Sequence, residues 1–62
     1  MFYVAREENG IIQEDFYEHS FGEAVNLRHR LEQYDAGDTW VIYQDNGDGQ
    51  WFQMGDDGQV IY

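Results

Sequence analysis

The chain has 62 residues, 13 Asp or Glu against 3 Arg, no Lys, no Cys and no Pro, and a formal net charge of −10. One domain of this size, 1–62, buries only about 60% of the surface its unfolded form exposes, and without Cys it has neither disulfides nor thiolate zinc to reinforce it. The charge excludes direct binding to nucleic acid or anionic lipid, which needs clustered Lys and Arg.

Met1–Arg6, MFYVAR, is apolar and aromatic and predicts a strand. After Glu7-Glu8, the pair Asn9-Gly10 is a two-residue hairpin signal, because both turn positions require positive φ. A second strand is expected from Ile11 to about Tyr17. Simple alternation puts Ile12, Glu14 and Phe16 on one face and Ile11, Gln13, Asp15 and Tyr17 on the other. Ser20-Phe21-Gly22-Glu23 has the spacing of a capping box. Ala24, Leu27, Leu31 and Tyr34 then recur at the helical period, beside Phe21 and Val25, and predict a helix to about Tyr34. Asn26, His29, Arg30 and Gln33 fall on its wet side, and Gly37 is a suitable stop. Thr39–Gln44 and Gln50–Met54 read as strands separated by the turn 45–49; a second turn at 55–58 leads to a short final strand, Gln59–Tyr62.

The order is ββαβββ, which predicts an α+β fold: a small antiparallel sheet with one helix packed on one face. One helix covers one sheet face, so alternation sends several of the strand aromatics to a face that no helix covers. Such a face is either a contact surface or is closed by sheet curvature, with the aromatics covering one another. Tyr3, Tyr17, Tyr43 and Trp51 are the aromatic candidates for contact.

Little in the chain suggests catalysis or a cofactor. Asp45-Asn46-Gly47-Asp48-Gly49 looks superficially like a calcium loop, but no register places oxygens at positions 1, 3 and 5, Gly at 6 and Glu at 12; a hairpin turn is the better reading. His19 and His29 are available as bases, yet Ser20 is the sole serine and is used by the helix cap. A non-enzymatic protein without a metal or cofactor is expected. The absence of a long apolar run and of a basic, apolar leader points to a cytoplasmic protein.

The acidity is therefore the main functional signal. Glu7, Glu8, Glu14, Asp15 and Glu18 belong to the first hairpin, and Asp45, Asp48, Asp56 and Asp57 to the two late turns. Carboxylates held on a folded scaffold resemble a phosphate backbone electrostatically and are steered onto a basic cleft. In size and charge alone the chain resembles phage and mobile-element inhibitors of host defence, including anti-CRISPR and anti-restriction proteins, and the immunity proteins of nuclease toxins. No motif carries that likeness, so no functional residue is transferred. The expected partner is a basic protein surface such as a nuclease or CRISPR effector subunit. The competing expectation is an interaction module or homodimer that uses an aromatic sheet face or a sheet edge, with acidity serving solubility.

Overall fold

The computed structural model describes residues 1–34, 37, 39–55 and 57–61. The elements are β1 (Phe2–Glu8), β2 (Ile11–Glu18), α1 (Phe21–Tyr34), β3 (Thr39–Asp45) and β4 (Trp51–Met54). All strands pair antiparallel in the order β2-β1-β3-β4. Because β1 lies between β2 and β3, those two strands run the same way, and α1 is the crossover that joins them.

Local chemistry accounts for the element ends. Asn9 and Gly10 adopt φ of 56° and 80°, as the two-residue hairpin requires. Glu7 and Glu8 accordingly belong to β1 rather than to the turn. Ser20 Oγ accepts from Glu23 N at 3.2 Å and Ser20 O accepts from Ala24 N at 3.1 Å, which starts α1.

The core lies between α1 and one sheet face. Val4, Ala24, Trp40, Ile42 and Met54 are buried there, with Phe2, Phe21, Val25, Leu27 and Leu31 packed around them. Phe2 and Phe21 meet edge to face at 5.8 Å. The expected helix stripe therefore holds through Leu31. Tyr34 departs from it: the apolar floor ends before the last turn, and the ring is 87% exposed.

Simple alternation also fails in β2, for a definite reason. The turn sets Glu8 opposite Ile11 and Glu7 opposite Ile12, whereas farther on Arg6 opposes Glu14, Val4 opposes Phe16 and Tyr3 opposes Tyr17. These two registers differ by one residue, and a β-bulge at Gln13 absorbs it. Carrying the turn's register onward would set Asp15 opposite Val4, whose side chain is in the core. The bulge keeps Asp15 out of the core and lets Phe16 lie 6.3 Å from Trp40. It also moves Ile12 into the row of Glu7, on the face of Asp15 and Tyr17, and puts Ile11 on the other face.

The last segment is shorter than the pattern suggested. Among the described residues, Val60 pairs with Met54 as a single antiparallel bridge, supported by Ile61 N donating to Gln53 O at 2.8 Å, instead of forming a ladder. The Gly55–Gly58 turn leaves few residues to pair, and Tyr62 lies outside the described residues.

Candidate functional site

The face opposite α1 carries a row formed by Tyr17, Tyr3, Tyr43 and Gln53, one residue from each strand. Trp51 comes from the neighbouring row and lies on it. Its ring stacks on Tyr3 at 4.3 Å and 12° and tilts against Tyr43 at 5.6 Å. Tyr3 meets Tyr17 edge to face at 5.5 Å. His19 extends the series, edge-on to Tyr17 at 5.1 Å, with Tyr17 Oη and His19 Nδ1 3.4 Å apart. The four aromatics expected from sequence thus form one cluster. No helix covers the rings, and they partly cover one another. Tyr17 keeps 42% exposure.

Tyr43 Oη donates to Glu7 Oε2. Between their rows lies the pair Ala5 and Val41, so the phenol crosses that pair. This explains why Ala5 and Val41 are buried on a face without a helix. Burial of the Tyr43 hydroxyl, then its hydrogen bond to Glu7 and the negative charge there, push its pKa up to about 12. Glu7 is therefore a structural acceptor as well as a charge.

The other carboxylates are distributed unevenly. By register, Asp15 and Asp45 share the open face with Glu7. Glu14 and Glu18 lie on the helix-side face of the edge strand β2, where Glu14 Oε1 meets Arg6 Nε at 3.1 Å. Glu8 is exposed beside the hairpin turn. The turn aspartates do local work: Asp45 Oδ1 accepts from Gly47 N, Asp48 Oδ1 from Gln50 N and Asp57 Oδ1 from Gln59 N, at 2.8 to 3.0 Å. Asp48 and Asp57 sit in turns at opposite ends of β4. Asp56 lies outside the described residues.

The structure therefore brings together Tyr3, Tyr17, Tyr43, Trp51, Glu7, Asp15 and Asp45, and leaves Glu8, Glu14, Glu18, Asp48 and Asp57 apart. Sequence reasoning missed the Glu7–Tyr43 bond. The signal was present, because Glu7 has the parity of Tyr3, but it required extending β1 past Arg6. Among the described residues no three or more His, Asp or Glu side chains are grouped so as to hold a metal ion, and no pocket is present. No helix of the described residues is long and apolar enough to cross a membrane. No protein-family model matches the chain, and no curated protein or solved structure matches it.

Proposed function

We propose that this chain is a small, non-enzymatic inhibitor of phage or mobile-element type. It acts in the host cytoplasm and covers the basic nucleic-acid-binding groove of a defence nuclease or CRISPR effector. The observation that supports this reading is the composition of the open face: four aromatic rings linked by three ring contacts, with Glu7, Asp15 and Asp45 on the same surface. Grooves that bind phosphate are lined with Arg and Lys. A guanidinium can stack on an exposed tyrosine or tryptophan face and pair with an adjacent carboxylate, gaining about 0.5–1 kcal/mol from the ring and more when desolvated. In this mechanism carboxylates occupy phosphate positions, and Tyr17 and Trp51 supply the anchors.

The test is a tagged pull-down from bacterial lysate washed at low and then moderate salt, followed by displacement of a labelled duplex from the captured protein. A basic nuclease or effector subunit that leaves in moderate salt and releases the duplex on adding this chain is the expected result. Retention that ignores salt overturns charge mimicry. Recovery of the chain alone, with sedimentation as a dimer, supports instead the self-associating module.

A further inference from the structure

Strand β2 is an edge of eight residues, and among the described residues nothing pairs with its outer side. The late bridge at Val60 lies on the opposite edge, against β4. A long exposed edge with aromatic side chains is a template for another strand. Short length, proline, charged side chains and bulges are common ways to blunt such an edge; β2 is long and without proline or lysine, and its protection is its carboxylates and one bulge. Its bulge lies toward the hairpin end and leaves Glu14–Glu18 in regular register. That stretch carries three carboxylates, Glu14, Asp15 and Glu18, beside Phe16 and Tyr17, both about two-fifths exposed.

Charge decides what fits there. In a second copy paired antiparallel over the whole strand, Glu14 would oppose Asp15 twice; centred on Phe16, Glu14 would oppose Glu18 twice. Like charges directly opposite are destabilising, and each copy brings a net charge of −10. A strand with cations at the matching positions removes the penalty and supplies counter-charges. We infer that β2 takes up an extended basic segment of a partner protein as an added antiparallel strand along Glu14–Glu18. Cations of that segment oppose Glu18, Asp15 and Glu14, and apolar side chains oppose Tyr17 and Phe16. Main-chain hydrogen bonds hold the segment, and the alternating side chains select it. Glu14 already faces Arg6, so Asp15 and Glu18 provide most of the new attraction. The inference rests on reading the chain as a binder of basic protein surfaces, and it adds the means of attachment.

The test uses the whole chain and a synthetic peptide whose core reads cation, apolar, apolar, cation, cation. Two further peptides keep every side chain but carry N-methyl groups on alternate amides, in one phase or the other. Only one phase of amides faces β2, so one methylated peptide should bind on the order of 100-fold more weakly and the other close to the parent. Amide shifts on binding should concentrate at 14–18, and the double variant Asp15→Lys/Glu18→Lys should lose the parent peptide. Equal responses of the two methylated peptides, whatever their size, would overturn strand addition, as would a parent peptide that does not bind. Duplex displacement from a captured nuclease is read separately, so failure of groove blocking is distinguishable from failure at this edge.

Discussion

The two faces of this sheet use the same strands and are closed in different ways. On one face α1 brings Ala24, Leu27 and Leu31 over Val4, Ile42 and Met54, and the centre is buried. On the other there is no second layer. Tyr43 crosses Ala5 and Val41 to reach Glu7, and Trp51 lies on Tyr3. The comparison shows how a 62-residue chain without disulfides keeps both sheet faces from being bare: a helix covers one, and large rings close the other around Ala5 and Val41. Rings that serve as a lid still present their outer surfaces to a partner, which a helix-covered core cannot do.

The difference is sharpest in stability. Ile42→Ala, in the fully buried layer, should cost about 3 kcal/mol, a large share of the roughly 3–9 kcal/mol expected for a domain of this length. Urea unfolding should therefore show a much lower midpoint or no folded baseline. Trp51→Ala on the open face, losing two ring contacts and a half-buried indole, should cost about 2 kcal/mol while abolishing partner capture. Equal losses of stability would break the distinction between core and lid.

Tyr43→Phe should cost about 1 kcal/mol by leaving Glu7 without its donor. It also carries a pH signature. The folded state holds the Tyr43 proton more tightly, with a pKa of about 12 against 10.0. The resulting stability is present at neutral pH and is lost as pH rises from 10 through about 12. Alkaline unfolding of the parent should show this fall, the Phe variant should lack it, and an identical profile for the two would remove Tyr43 from the lid.

Smaller effects test the local devices shared by both faces. Ser20→Ala should cost about 1 kcal/mol by removing the cap on Glu23 N, read as a lower thermal midpoint. Glu32→Gln, which weakens the i,i+4 pair between half-exposed Glu32 and the largely buried Arg28 side chain at 3.1 Å, should cost about 0.5–1 kcal/mol.

Short-range features of the chain were legible in its residues. Asn9-Gly10 determined the first turn because few other dipeptides accept positive φ twice. Ser20 and the spacing of Ala24, Leu27 and Leu31 determined the helix and its buried side. These depend on neighbours a few positions apart. Tertiary structure alone decided the order β2-β1-β3-β4, the bulge that moved Ile12 to the open face and kept Asp15 out of the core, the exposure of Tyr34, and the reduction of the last strand to a bridge at Val60. Each of these is set by a distant partner: which strand closes against which, where the apolar floor ends, and which register buries Val4 and brings Phe16 to Trp40 without burying a carboxylate. Local propensity does not encode those choices, because the free energy that makes them comes from contacts formed only when the sheet and helix are assembled.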